Sequence, residues 1–389
     1  MFYPFMGIRL SIFSLIWGLL LLASLRPACA SPAYVRFNIA VNGSNVGYMD
    51  VELFQDIAPM NVANFLSYVN SGAYNNLIIN RSVPGFVFQA GEITLSGTSI
   101  GTNTPGNPVT GESVLTVTGA HSNTRGTIAF ALQKNVNTGL TDPNSGTNQW
   151  FFNEVDNNSA SSPANLDAEG FTAFGIIMNA SSLSLMDQIS SVTPSDQSAF
   201  FNALFGLSAT NAFGVDYFSE IPLVNYTSPD DPGLQNIIVV TSITTLTVQT
   251  LADWQTGANS PFTSTQQSNP AFIAPAATPF NDGVPNLLKY VCDINPSVPM
   301  TGAAIARLPV EGSTTISGSQ YMTLTYHQHN ALIGVNVNVQ TSPDMITWTT
   351  VSNPTIVQTG TDSTGDPIEQ VRVPATGTQQ FIRLNVVQP

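Results

Sequence analysis

Positive charge is scarce in this chain of 389 residues: Lys and Arg together number 10, against 24 Asp and Glu, for a formal net charge of −14. Nucleic-acid binding draws its affinity from basic side chains that displace counterions from phosphates, so that class of partner is excluded. Charge of either sign is sparse at 9%. Asn, Thr, Ser and Gln carry the polar surface instead, as in exported β-rich chains, and the acidic excess reads as solubility. Cysteine is limited to Cys29 and Cys292, and histidine to three residues. His327-Gln-His329 would share one strand face, but no carboxylate or thiol is near in sequence, so a solvated face is expected and no metal. No serine elbow, phosphate loop or dinucleotide fingerprint is present, and no cofactor is expected.

Only the first thirty residues hold a long apolar run. Leu10 to Leu25 is almost wholly apolar, and Ala28-Cys29-Ala30 offers small residues where a signal peptidase reads. Residues 1–30 are expected to be a signal peptide of an exported protein, periplasmic or extracellular. The run falls short of the about 20 residues a spanning helix needs, so no stable membrane span is expected after cleavage. Cleavage removes Cys29 and leaves Cys292 alone, expected as a buried structural thiol.

The remainder reads as mainly β, in two parts. Val35, Phe37, Ile39 and Val41 alternate with polar residues, Asn42-Gly43 offers a tight turn, and Met49, Val51 and Leu53 alternate on the return. Val62, Phe65, Leu66 and Val69 then fall on one helical stripe between Pro59 and Gly72. Strands are predicted at Thr127–Leu132, Gln149–Phe152, Phe171–Ile177 and Ile237–Val248, and a second helix at Ser184–Ser190. Asn202 to Tyr217 reads as an insertion. Residues 31–249 are taken as one domain. The Ser-, Thr-, Gln- and Pro-rich stretch 250–280 is expected to be a linker. Alternating segments at Tyr321–Tyr326, Val335–Gln340, Thr347–Val351, Ile368–Val373 and Phe381–Val387 make 281–389 a small all-β, sandwich-like module. Asn281-Asp-Gly-Val-Pro-Asn286 resembles a calcium segment that has lost its acidic ligands, with Lys289 at one of those positions.

The stretch Arg81-Ser-Val-Pro-Gly-Phe-Val-Phe-Gln-Ala-Gly91 has a particular chemical character. Arg81 is a cation that cannot lose its charge. Val87 and Gln89 fall on one face of an alternating strand, and so do Gln149 and Phe151 on another. A cation, an apolar wall and amide donors are what rotation about an X-Pro bond requires. Its barrier of about 18–20 kcal/mol comes from amide resonance, and the twisted amide regains a nitrogen lone pair that a fixed donor can bind.

These residues, with Asp56-Ile-Ala-Pro59, Asn64-Phe65, Tyr74, Pro143-Asn-Ser145, Leu166-Asp167 and Phe174-Gly175, occur in the order and spacing of the cyclophilins, and residues 34–248 resemble that family. The resemblance implies a cyclophilin-like eight-stranded antiparallel barrel with two helices. It implies peptidyl-prolyl cis-trans isomerisation of proline-containing polypeptides, with no cofactor. Position by position, it implies Arg81 as the catalytic arginine, Phe86 and Val87 beside the proline pocket, and Gln89 ordering the arginine and substrate backbone. It further implies Ala131 pairing with the substrate backbone, Gln149 as a second polar contact, Phe151 as the pocket floor, Leu166 as a wall, and Phe171 at the rim. Four positions depart from the family pattern: Asn80 for His, Ala90 for Gly, Leu132 for Asn, and Asn165 for Trp or Phe. The alternative reading is a catalytically weak barrel that binds proline peptides and is anchored by its C-terminal module.

Overall fold

The computed structural model describes residues 33–388, apart from 136, 206–216, 228–230, 330–331, 353, 364–365 and 376–379. The expected signal peptide and most of the Asn202–Tyr217 insertion lie outside these residues.

The alternation at the start of the described chain forms β1 (Ala33–Val41) and β2 (Ser44–Leu53). They are joined at Asn42 and Gly43, whose φ of 51° and 71° suit a tight hairpin turn. Helix α1 (Pro59–Ser71) has proline in its first turn and ends at Gly72 in the left-handed region. Short strands follow: β3 (Leu77–Ile78), β4 (Arg81–Val83), β5 (Val87–Ala90), β6 (Ile93–Ser96), β7 (Ser99–Thr102), β8 (Thr127–Phe130), β9 (Trp150–Asn153) and β10 (Ala173–Ile177). Helix α2 (Ala180–Ser190) is capped by Asn179, whose side chain accepts from Ser182 N. It starts four residues earlier than its apolar stripe alone suggests, because the cap rather than the stripe sets the first turn. Beyond it lie β11 (Pro194–Ser195), α3 (Ser198–Phe205), β12 (Ile221–Pro222) and β13 (Ile238–Leu246).

One sheet runs β4-β5-β9-β8-β10-β2-β1-β13-β3 and continues into β6-β7. β3 and β4 are successive parts of one stretch, broken only at Ile79 and Asn80. Ile79 N donates to Ile238 O on one side, and Asn80 N to Gln89 O on the other. The sheet therefore returns to its starting strand and closes as an eight-stave antiparallel barrel, which removes exposed edges. Phe37, Phe65, Phe88, Trp150, Phe152 and Phe174 fill its interior. Strand alternation then sends the neighbours of Phe88 and Phe152, namely Val87, Gln89 and Phe151, to the outer face.

The stretch expected as a linker carries α4 (Leu251–Thr256), α5 (Ser264–Gln267) and α6 (Pro270–Ile273). Leu251, Trp254 and Phe262 are buried in the core of the second module. Its polar composition hides three well-spaced apolar anchors, which is enough to dock a segment that lacks periodicity. Helices α7 (Asn286–Val291) and α8 (Gly302–Ile305) precede the strands β14 (Val310–Ile316), β15 (Ser319–His327), β16 (Asn336–Ser342), β17 (Thr349–Thr350), β18 (Thr355–Thr361), β19 (Pro367–Pro374) and β20 (Phe381–Val387). They form one sheet in the order β14-β15-β19-β18 and another in the order β17-β16-β20. Leu324, Tyr326, Ile356, Val371 and Val373 of the first share a core with Val339 and Ile382 of the second. Cys292 is buried there and unpaired, and burial pushes its thiol up to about 12.

His327 and His329 do not form the solvated strand face expected. β15 ends at His327, whose Nδ1 lies 3.0 Å from Asp362 Oδ2. His329 lies past the strand end and packs edge-on against Tyr290 at 5.4 Å, where burial holds its pKa down. Among the described residues no cluster of His, Cys, Asp or Glu suits a metal. Lys289, in the calcium-like segment, is fully buried with its Nζ 2.5 Å from Asp282 Oδ2. An internal ammonium thus occupies a place beside that carboxylate.

Candidate active site

Strand register brings the candidate residues together on the outside of the barrel. Arg81 on β4 lies opposite Gln89 on β5, Gln89 opposite Phe151 on β9, and Phe151 opposite Ala129 on β8. Residues separated by dozens of positions thus form one row across four strands. Val87, Ala129, Phe151 and Leu166 make a small apolar cluster, with Phe86, Ala131 and Phe171 packed against it. Leu166 and Phe171 come from a turn in which Phe171 N donates to Leu166 O. Asp167 Oδ1 secures that turn by accepting from Asn123 N and Nδ2, both at 2.8 Å. The Phe151 and Phe171 rings meet edge to face at 5.7 Å and 70°.

A cleft of about 360 Å³ opens over this cluster, and Arg81, Phe86, Val87, Gln89, Ala131, Phe151, Leu166 and Phe171 all line it. Eight of the nine candidate residues therefore share one cavity. Gln149 stands just behind, where its Oε1 accepts from Gln89 Nε2 at 2.6 Å. Its own Nε2 donates to Glu92 Oε2. Burial raises the pKa of Glu92, while the hydrogen bonds from Tyr217 and Gln149 oppose the rise.

The Arg81 side chain retains 26% exposure and donates from Nε to Glu220 Oε2 at 2.7 Å. Gln89, expected to order the arginine, donates from Nε2 to Gln149 Oε1. Asn80 donates to Tyr217 O at 3.2 Å. Leu132 lines the cleft, whereas Asn165 does not and instead accepts from Ala168 N. Lys134 and Thr141, which the sequence reading did not single out, also line the cavity. Neither they nor Glu220 carried a local signal: Glu220 is 139 positions from Arg81, and only the tertiary fold joins them. None of the described residues between Pro194 and Pro222 lines the cleft.

Such a surface can seat a small apolar ring against Phe151, Val87 and Leu166 while presenting a permanent cation beside it. Donors held in place before the reaction, rather than bond-making groups, are what it offers.

Residues 36–203 match the family model described as "Cyclophilin type peptidyl-prolyl cis-trans isomerase/CLD". A peptidyl-prolyl cis-trans isomerase of Acinetobacter baylyi is 32% identical over 152 residues, which is 39% of this chain and 71% of that protein. Peptidyl-prolyl cis-trans isomerase B of Escherichia coli is 31% identical over 150 residues, 38% of this chain and 82% of that one. Among solved structures, a cyclophilin type isomerase of Cryptosporidium parvum aligns with 56% of this chain and 99% of its own, at 19% identity and a TM-score of 0.34.

Proposed function

The chain belongs to the cyclophilin-type peptidyl-prolyl cis-trans isomerases, and from that premise we propose that the cleft at Arg81 turns over X-Pro bonds of exported polypeptides as they fold. In this reading the proline ring sits on Phe151 between Val87, Leu166 and Phe86. The Arg81 guanidinium donates to the prolyl nitrogen as the amide twists and its lone pair returns. Gln89, held by Gln149, and the backbone at Ala131 hold the flanking peptide. Phe171 closes the rim. The enzyme thereby supplies orientation and a preorganised cation, and needs no group that enters the reaction covalently. Uncatalysed, the step takes tens to hundreds of seconds. The observation that carries the proposal is that a cation and an apolar floor, brought from three strands and the turn at Leu166–Phe171, line the same cavity.

Export rests on the N-terminal apolar run and on the low charge content. Among the described residues no helix is long and apolar enough to cross a membrane. We also place the start of the second module at Leu251 rather than at 281, because Leu251, Trp254 and Phe262 belong to its core.

A protease-coupled assay on a proline tetrapeptide, with the full chain and its Arg81→Ala variant, tests the reading. Removing a preorganised donor costs about 10²–10³ in rate in comparable sites, so the variant is expected near the buffer rate. Wild-type turnover equal to buffer, with peptide binding retained, would instead favour the binding-module alternative. The one feature on that side is the Glu220 carboxylate, which partly offsets the charge of Arg81.

A further inference from the structure

The segment Tyr217–Pro222 reaches the catalytic face from outside the barrel strands. Its anchors are hydrophobic: Phe218 and Ile221 are fully buried, and the Phe218 ring stacks on Phe201 at 4.7 Å. They join Ile78, Ile93, Leu223 and Ile237 in a satellite core beside the barrel. Glu220 lies between these two anchors, so its backbone cannot move without breaking them. Ser82 N donates to Glu220 O at 2.8 Å, which ties the segment to β4 one residue after Arg81. The Glu220 carboxylate then accepts from Arg81 Nε at 2.7 Å.

A second link runs from the same segment. Tyr217 hydrogen-bonds to Glu92, Glu92 accepts from Gln149, and Gln149 accepts from Gln89. Arg81 and Gln89 are therefore both held from behind by this one segment. Arg81 is bound through Nε, the inner nitrogen of a planar fork. Fixing that nitrogen fixes the plane of the guanidinium, and the two terminal nitrogens have no partner among the described residues. An unbraced arginine would sample many rotamers and would lose that freedom only on meeting the twisted amide.

We propose that Glu220 is a positioning residue for the isomerisation, and that Tyr217–Pro222 is a brace for the catalytic cation. The proposal rests on the reading of the cleft given above. Glu220 touches no substrate. It acts through Arg81, by presenting the terminal nitrogens to the cleft before the amide twists. The carboxylate lowers the net charge at the site, so positioning and charge pull in opposite directions. The buried anchors on either side of Glu220 decide between them, because a carboxylate whose role was only to neutralise would not need a fixed backbone.

The experiment uses the full chain with Glu220→Ala, Glu220→Gln, Arg81→Ala and the double variant Glu220→Ala/Arg81→Ala, measuring kcat, KM and melting temperature. Glu220→Ala is expected to lower kcat about tenfold while KM stays within about twofold, the pattern of a contribution made in the transition state. Glu220→Gln keeps an amide oxygen that accepts the Nε proton, and should stay within about threefold of wild type. In the Arg81→Ala background, adding Glu220→Ala should change nothing further. A kcat for Glu220→Ala equal to or above wild type, with Arg81 still required, would overturn the positioning role alone. A Glu220→Ala loss that persists undiminished in the Arg81→Ala background would mark a structural role and would also overturn it. Wild-type protein without isomerase activity would remove this proposal together with the function it rests on.

Discussion

Glu369 offers a pH dependence whose sign and size follow from where it sits. It lies on β19, opposite Tyr326 on one side and Gln358 on the other, and is 1% exposed. The side chain faces the barrel, where Ser181 of α2 hydrogen-bonds to it and the Arg36–Asp50 pair lies nearby. Its Oε2 has no hydrogen-bond partner among the described residues. Burial, the largest cause, raises its pKa from 4.5 to about 7; the Asp50 charge adds to the rise, and Ser181 and Arg36 oppose it. The folded state therefore holds a proton that the unfolded chain gives up near 4.5. Stability is fully present below that value and falls as pH climbs through 7. At 1.36 kcal/mol per unit, the shift amounts to about 3 kcal/mol between pH 4.5 and pH 8. Asp293 also rises to about 7, first through burial and then through Asp366. Its side chain is 41% exposed, so solvent screening leaves it a minor share. Urea unfolding at pH 5, 6, 7 and 8, followed by tryptophan fluorescence, measures the effect on wild type and on Glu369→Gln. The variant should exceed wild type by less than about 1 kcal/mol at pH 5 and by about 3 kcal/mol at pH 8. A difference between the two proteins that does not change with pH would refute the assignment.

Two further outcomes follow from contacts in each module. Gly91 has φ +116°, and a Cβ there would lie 2.2 Å from Asn148 O. Gly91→Ala must force the end of β5 away from the backbone that leads into β9, so it should cost roughly 2–4 kcal/mol from overpacking and backbone strain, with a matching drop in the urea midpoint. A loss below about 0.5 kcal/mol, within the range of neutral surface changes, would contradict that close approach. Lys289→Met leaves Asp282, 12% exposed, without its buried ammonium. Breaking such a pair costs about 3–5 kcal/mol, and Lys289→Met/Asp282→Asn should recover most of it. Chemical denaturation of both variants would show this, and equal stability of the single and double variants would rule it out.

The legible parts of this chain were those coded locally. The β1–β2 hairpin follows from alternation and Asn42-Gly43, the first helix from Pro59, Gly72 and one apolar stripe, and the face shared by Gln89 and Val87 from the period of a strand. The eight site residues that line the cleft could be named because the resemblance to the cyclophilins assigned each a position. The expectation that nucleic acid is not a partner also needed only the count of basic residues. At 250–280 a polar average concealed the three buried side chains Leu251, Trp254 and Phe262. Barrel closure through Ile79 and Asn80, the ion pair between Arg81 and Glu220, and the burial that shifts Glu369 were decided by tertiary structure. Each depends on residues brought together across more than a hundred positions, and no local propensity records which distant carboxylate will meet a given arginine.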